Sequence, residues 1–394
     1  MDSTQSLRSH RHREAAPPAA LRRWLALADI HIGGSRPWDM QVHSPRLYQR
    51  LLTSWTLGVG ESYMDGDWDC ERLDELFARL LRTDVESGAV GWARLKLALS
   101  LLPHLLSNPQ RPDRAFVVGE HHYDIGNDLF ERMLDPAMQY SCAYWASATT
   151  LEQAQQDKLE MICQKLQLRP GQRVLEIGCG WGGLARHAAQ HHGVHVVGVT
   201  VSREQQALAE ARCAGLPVQI RLQDYRQMQG PDGDFDRIVS VGMFEHVGPK
   251  NHAAYFGAAR RLLAPDGLFL LHTIGLDRPR LRTDPWIEKY IFPGGKLPAA
   301  SELAAAIESD FVLEDWHNFG PDYDRTLMQW HANFEAAWPE LAPKYGERFR
   351  RMWCYYLLLC AGFFRSRQGQ LWQLVLSRRE REAAYRSVRP FAAR

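Results

Sequence analysis

The chain has no closely spaced cysteine pair, no long apolar run and almost no net charge, and each absence closes off a class of protein. Its seven cysteines (70, 142, 163, 179, 213, 354 and 360) are odd in number and scattered, without a C-x-x-C pair. That pattern implies reduced thiols and a cytoplasmic address. The N-terminus carries Arg8, Arg11 and Arg13, then Pro17 and Pro18, and lacks the apolar core of a signal peptide. The longest apolar run, Met352 to Phe364, spans thirteen residues and includes two tyrosines. A membrane-spanning helix needs about 20, so this run is expected to be a buried helix. The protein is then soluble, or at most peripheral to a membrane. A net charge of +1 argues against wholesale nucleic-acid binding.

What is present is material for a large core: 45% of the 394 residues are hydrophobic. The length implies two or three domains. Residues 1–20 are polar, basic and proline-punctuated, which predicts disorder. Residues 21–106 are mostly helical in pattern; Leu73, Leu76, Phe77 and Leu80 recur at helical spacing and form one apolar face. A linker is expected over 107–118, where Ser107 to Asp113 holds two prolines. Residues 119–394 then form the second, larger domain.

From residue 151 helices and strands alternate. A helix from Leu151 to Leu168 is stopped by Pro170-Gly171, and strands are expected at 173–177, 195–200, 218–223, 235–241 and 267–274. Helices are expected at about 182–192 and 251–263, and Ser202-Arg-Glu-Gln205 fits a capping box opening another. Repeated β-α-β units predict an α/β fold with a parallel sheet covered on both faces. Ligands of such sheets bind beyond the carboxyl ends of the strands. The turn after residue 177, Thr200, Asp224, Glu245 and His272 should therefore share one edge.

The first strand runs into Val174-Leu-Glu-Ile-Gly-Cys-Gly-Trp-Gly-Gly183. Glycines 178, 180 and 183 satisfy G-x-G-x-x-G, a dinucleotide fingerprint. Glu176 counts against that reading, because a pyrophosphate gains nothing from a nearby carboxylate. The E-x-G-x-G arrangement resembles motif I of S-adenosylmethionine-dependent methyltransferases, whose ligand carries an ammonium and a sulfonium. The glycines bring backbone against such a ligand, with Glu176 beside it.

A narrower resemblance rests on Tyr123–Asp128, Gln139-Tyr-Ser-Cys-Ala-Tyr-Trp145, Ser240–Gly248 with Phe-Glu-His-Val-Gly at its end, Leu270–Gly275 and Asp315–Tyr323. In that order and spacing the chain resembles the cyclopropane fatty-acyl-phospholipid synthases and the related mycolic acid cyclopropane synthases, over roughly residues 30–390. Gly60–Asp67 and the helices after it look like the small N-terminal domain of the phospholipid enzymes, which the mycolic acid enzymes lack. The resemblance implies a seven-stranded class I methyltransferase domain with a Rossmann-like sheet behind a smaller helical N-terminal domain. It also implies a homodimer and a peripheral position on the inner membrane surface. The cofactors implied are S-adenosylmethionine and bicarbonate.

The reaction implied is methyl addition to a cis double bond of an acyl chain. An alkene is a weak nucleophile, so the sulfonium must be held close and in line. Attack leaves a carbocation, and ring closure needs a base to take a proton from the transferred methyl. Tyr140, Tyr144, Trp145, Phe244 and Tyr323 are aromatic candidates for attracting the cation and excluding water. By resemblance, Cys142, Glu245, His272, the Ile274 backbone and Tyr323 form a bicarbonate pocket; Glu245 accepts the O–H while His272 and Tyr323 donate. Gly178, Gly180, Gly182 and Glu176 meet the donor's methionine part. Thr200 stands where many methyltransferases have an acidic ribose ligand, and the Thr200–Gln205 segment is implied to replace it. Gln223 and Asp224 fall where adenine would lie, and Tyr140-Ser141 would close over the donor.

Each residue also has a plain structural role open to it: a buried small cysteine, a core histidine, a capping aspartate. His187 and His191 share a helix face, but a third ligand and a carboxylate are not evident in sequence, so no metal is expected. The eight arginines of residues 365–394 face only Glu380 and Glu382, an attraction to anionic lipid or a solvated helix end. Other readings remain: methyl-branched or methylene lipid synthesis, amine methylation, nucleotide-dependent oxidoreduction, and lipid carriage without catalysis.

Overall fold

The computed structural model describes residues 17–83, 125–231, 233–280 and 282–389. The expected linker and most of the N-terminal tail lie outside them. Residues 19 and 20, expected to be disordered, already belong to helix α1 (Ala19–Leu27).

Seven strands form one sheet: β3 (Arg173–Ile177), β4 (His195–Thr200), β5 (Val218–Leu222), β6 (Phe235–Val241), β7 (Leu263–Leu276), β8 (Phe311–Asn318) and β9 (Gly369–Arg378). Their order is β5-β4-β3-β6-β7-β9-β8, and β9 runs antiparallel to both its neighbours. A two-stranded ribbon, β1 (Gln41–Val42) with β2 (Trp68–Asp69), lies in the N-terminal part. The crossovers suit a parallel sheet because helices follow β3, β4 and β6 and cover it. Gly183–His192 follows β3 and Arg203–Arg212 follows β4, capped by Ser202 Oγ on the Gln205 N–H at 3.2 Å. His252–Leu262 follows β6.

The helix Leu151–Lys165 lies over the sheet with Leu159, Ile162 and Cys163 packed on Val174 and Val196. Its last turn stops three residues short of expectation. Met352–Phe364 is indeed the interior of a helix, Glu347–Arg365, buried along much of its length. That helix and Pro321–Tyr345 join the N-terminal helices α2 (Arg46–Met64) and α3 (Leu73–Arg82) in one continuous core. Gly362 makes the closest approach: a Cβ there would meet Phe77 and the α3 backbone at 2.7–2.8 Å.

The basic C-terminal stretch is not a solvated helix end. Arg365 ends a helix, β9 follows and is buried inside the sheet, and the residues after it run back along β8. Five of its arginines are engaged. Arg365 pairs with Asp74 and Asp324, Arg378 with Glu380, and Arg389 with Asp315, while Arg379 and Arg381 donate to backbone carbonyls.

Candidate active site

The sheet brings the expected residues to one edge. β3 ends at Ile177, β4 at Thr200 and β5 at Leu222, so the glycine turn, Thr200 and Gln223-Asp224 project from neighbouring strand ends. His272 lies inside β7 rather than at its end, but its register partner is Val241, the last residue of β6. It is therefore level with the same edge.

A cavity opens there, lined by Tyr140, Ser141, Glu176, Gly178, Gly180, Thr200, Gln205, Gln223 and Asp224. Gly178 and Gly180 take φ of +84° and +52°, the left-handed region that side chains other than glycine avoid. A Cβ on Gly180 would meet no protein atom within 4 Å, so this turn presents bare backbone to the cavity. Gly182 is the exception among the expected donor contacts. It turns the other way, and a Cβ would press on Ala209 and Cys213 at 3.1 Å. Its requirement is helix packing together with a left-handed backbone, φ +78°.

Inside the cavity the polar groups are partly spoken for. Thr200 Oγ1 donates to Gln205 Oε1 at 2.8 Å, and Gln223 Nε2 donates to the Gln227 carbonyl at 3.1 Å. Asp224 accepts the Arg226 backbone N–H at 2.9 Å and pairs with its guanidinium, so it does act as a turn cap as well as lining the cavity. Glu176 is buried with Oε2 unpartnered, and burial pushes its carboxyl up to about 8.

Beside the cavity stand the other expected residues. Glu245 follows β6 in a short 3₁₀ turn, Phe244–His246. Its Oε1 accepts the Ile274 N–H at 2.7 Å; its Oε2 is buried without a partner. Burial raises this carboxyl to about 7, against the Ile274 hydrogen bond that lowers it. Tyr323 is buried and stacked on Phe364 at 4.5 Å; burial holds its phenol well above the ordinary range, and Cys142, Tyr140 and Glu245 raise it further. Burial holds the Cys142 thiol well above its ordinary value; Sγ donates to the Ala143 carbonyl at 3.2 Å. The His272 ring meets Phe319 edge-on at 5.8 Å, and Phe319 meets Tyr144 at 5.5 Å, which links β7 to the 139–145 segment. His272 Nε2 is buried and unpartnered.

One of the aromatic candidates lies in the core, and another shares a partner, Thr326, with Cys142. Phe244 packs among His252, Tyr255 and Phe256 in the core below the sheet. Trp145 has Arg325 over its ring at 4.1 Å and donates from Nε1 to Thr326 Oγ1 at 2.9 Å. Tyr140 remains at the site, its hydroxyl 2.8 Å from that of Tyr356.

Several residues escaped the sequence reading. Lys158, wholly buried, donates to Gln139 Oε1 and, at 3.0 Å, to Ser141 Oγ. Gln155, one turn earlier on the same helix, donates to the Ser141 carbonyl at 2.9 Å. Together they hold the 139–141 segment against the cavity. Burial lowers the Lys158 ammonium to about 8, opposed by Asp135, Cys142 and Glu176. His246 lines the cavity with Nδ1 unpartnered, and burial lowers it to about 4. The expectation about His187 needs correction: a carboxylate and a third group do face it. His187 and His192, rather than His191, both reach Glu160 Oε2, at 3.3 and 3.0 Å, with Cys163 alongside. The ligand atoms of Cys163, His187 and His192, up to 4.8 Å apart, are looser than a tetrahedral shell, and hydrogen bonds to Glu160 already occupy both histidines.

A mostly parallel seven-stranded sheet with one reversed strand, and an acid-led glycine turn opening a cavity at its edge, define an S-adenosylmethionine-dependent methyltransferase. Solved structures of that class share the fold. The cyclopropane synthase MmaA2 from Mycobacterium tuberculosis is 34% identical, covers 67% of this chain and 98% of its own, and superposes with a TM-score of 0.62. The mycolic acid cyclopropane synthase CmaA1 complexed with SAH and CTAB is 33% identical, with 66% and 97% covered and a TM-score of 0.62. The family is narrower still: the model of mycolic acid cyclopropane synthetase matches residues 110–374, and the chain belongs to that family. The cyclopropane-fatty-acyl-phospholipid synthase of Escherichia coli K12 is 57% identical over 354 residues, 90% of this chain and 91% of that one.

Proposed function

We propose that the protein transfers a methylene group from S-adenosylmethionine to a cis double bond in phospholipid acyl chains, closing a cyclopropane ring. The likeness to the Escherichia coli synthase supports the substrate class, because it runs through the N-terminal helices as well as the sheet domain. The observation that carries the mechanism is a pair of buried polar atoms without a partner among the described residues, Glu245 Oε2 and His272 Nε2. Buried polar groups are rarely left unpaired, so such a pair beside the donor cavity fits a small polar guest.

The donor's methionine part lies along the Gly178–Gly180 backbone, with Glu176 near its ammonium. Thr200 and Gln205 meet the ribose, Gln223 and Asp224 the adenine, and Tyr140 and Ser141 cover it. The alkene attacks the donor methyl in line, and the carbocation left on the acyl chain is sheltered by Tyr140 and Tyr323. Their rings face a cation favourably, and the wall they form with Trp330 and Phe364 keeps water out. Cys142, Glu245, His272, the Ile274 backbone and Tyr323 would hold bicarbonate, which supplies a small base for the methyl proton. Glu245 fits as acceptor of an O–H and as the positioning carboxylate. Tyr323 and His272 fit as donors to an anion. Because no side chain is the base, no protein nucleophile stands where the methyl travels.

Acyl chains must reach this site from a bilayer, and among the described residues no helix is long and apolar enough to cross one. Five arginines in the described part of the basic C-terminus are already engaged, so it offers less for the task. The N-terminal helices offer more: Leu27, Leu52 and Trp55 are 77%, 74% and 55% exposed, with Arg22 and Arg23 exposed nearby. Trp55 takes φ +51° at a kink in α2 and stacks on Trp24 at 5.7 Å. A bulky residue held in that conformation stores strain. This face is the part that meets the lipid surface, in a cytoplasmic protein that forms homodimers; sedimentation with and without vesicles separates bilayer contact from a second copy on the same face. Lipid mass spectra of cells with and without expression test the reaction. A product one CH₂ heavier that resists hydrogenation is a ring; one that takes up hydrogen is an alkene, and the proposal fails.

A further inference from the structure

Gln373 stands directly opposite His272. Strand β9 pairs with β7 in antiparallel register, His272 with Gln373, so both side chains leave the same face of the sheet. Both are buried. The Gln373 side-chain Nε2 lies 3.2 Å from His272 Nδ1. The other ring nitrogen, Nε2, has no partner among the described residues.

The charges around the ring limit its state. Burial, together with the Lys158 and Lys165 ammonium groups, holds His272 well below its ordinary range, so the ring is neutral and carries one proton. A neutral imidazole presents one donor and one acceptor, and the group hydrogen-bonded to one nitrogen decides the role of the other. A neighbouring histidine follows the same rule. His317 on β8 is the register partner of Gln373 on its other side, and its Nδ1 lies 3.1 Å from Lys165 Nζ. A lysine ammonium only donates, so the His317 Nδ1 is the acceptor.

We propose that Gln373 is a positioning residue that fixes the tautomer of His272: its amide N–H donates to Nδ1, and the ring proton is held at Nε2, as a donor toward the bound anion. The inference rests on the reading of His272 as an anion ligand and deepens it. His272 then acts as a hydrogen-bond donor and cannot take the methyl proton, which leaves that proton to the anion held by Glu245. The glutamine also places no charge beside a carbocation. A glutamate at 373 would do the reverse: its carboxylate accepts a proton on Nδ1, and the bare Nε2 lone pair then faces the anion.

The test is ¹⁵N NMR of the histidine-labelled full chain, with His272→Gln assigning the signal, alongside kinetics of Gln373→Glu and Gln373→Leu. The expected spectrum shows a bare Nδ1 and a protonated Nε2 that do not titrate between about pH 6 and 8. In Gln373→Glu the proton moves to Nδ1. Turnover should fall at least tenfold in Gln373→Glu and less in Gln373→Leu, with the KM for S-adenosylmethionine within about threefold and the apparent affinity for bicarbonate reduced. A wild-type ring protonated at Nδ1, or on both nitrogens, overturns the proposal even if neither variant folds. An unchanged tautomer in folded Gln373→Glu overturns it as well. A tautomer as expected in an enzyme indifferent to bicarbonate leaves the assignment of Gln373 standing and removes the anion reading instead.

Discussion

The Glu245 carboxylate accepts the Ile274 backbone N–H at 2.7 Å, and that contact ties the turn after β6 to the body of β7, while the second carboxylate oxygen is buried without a hydrogen-bond partner among the described residues. Replacing Glu245 with Gln keeps the shape and alters the charge. Turnover should fall roughly a hundredfold, the scale of losing a preorganised electrostatic partner, with S-adenosylhomocysteine affinity within about threefold by calorimetry. Equal loss of both would mean the site had collapsed. The pH dependence follows from a carboxyl raised to about 7 by burial. Turnover should climb through that pH in the native enzyme as Glu245 ionises, and the climb should vanish in Glu245→Gln. Stability moves the other way. The unfolded chain loses this proton near its ordinary value while the folded one keeps it to about 7, so folding weakens as pH rises across that window and stays weakened above it. Glu245→Gln should therefore be the more stable protein at pH 8, by about 3 kcal/mol, and gain nothing at pH 4. Thermal melts at the two pH values check the sign.

Gly180 faces open cavity with a left-handed backbone. Gly180→Ala pays roughly 1–2 kcal/mol in backbone strain and sets a methyl where the donor's backbone contact belongs. A lower melting temperature and at least tenfold weaker S-adenosylhomocysteine binding are expected. Unchanged binding would show that this turn does not touch the donor.

Lys158 is buried without a carboxylate hydrogen bond, its ammonium donating to Gln139 Oε1 and to Ser141 Oγ. Lys158→Met keeps the volume and removes both contacts, each worth about 1.5–3 kcal/mol for a charged donor. It also removes a cation that holds the Glu176 carboxyl down. Donor affinity should fall about tenfold while the far-ultraviolet spectrum stays native. An affinity equal to wild type would confine Lys158 to packing.

The exposed face of Leu52 and Trp55 predicts a separable defect. Leu52→Ser with Trp55→Ser should weaken binding to anionic vesicles at least tenfold, since burying each side chain contributes about 1.5–3 kcal/mol. Activity on detergent-dispersed lipid should persist. Salt should weaken vesicle binding through Arg22 and Arg23. Undiminished vesicle binding by the double variant would move the contact elsewhere.

Much of the sheet was legible because its signals are local. β3 and β4 fall where expected, each a short apolar run bounded by a turn, and the Ser202 cap opens its helix as read. The cavity at the sheet edge was legible for the same reason: one turn and three strand ends carry it. β8 and β9 were not picked out. Leu371, Leu374, Val375 and Leu376 are buried in the middle of a sheet, so β9 lacks a polar face to reveal its period, and flanking arginines made it resemble a basic tail. Gln373 was invisible because its meaning depends on the strand opposite. Lys158 went unnoticed because only the fold shows the 139–141 segment lying over its helix. Phe244 misled in the opposite direction: next to Glu245 in sequence, it points into the core.

The most direct test follows the donor methyl itself. Purified enzyme given S-adenosylmethionine with a fully deuterated methyl, and vesicles of unsaturated phospholipid, should yield a lipid that keeps two of the three deuterons, because ring closure removes one. A product retaining all three would be a methyl branch, and the site around Glu245 and His272 would then have no proton to take.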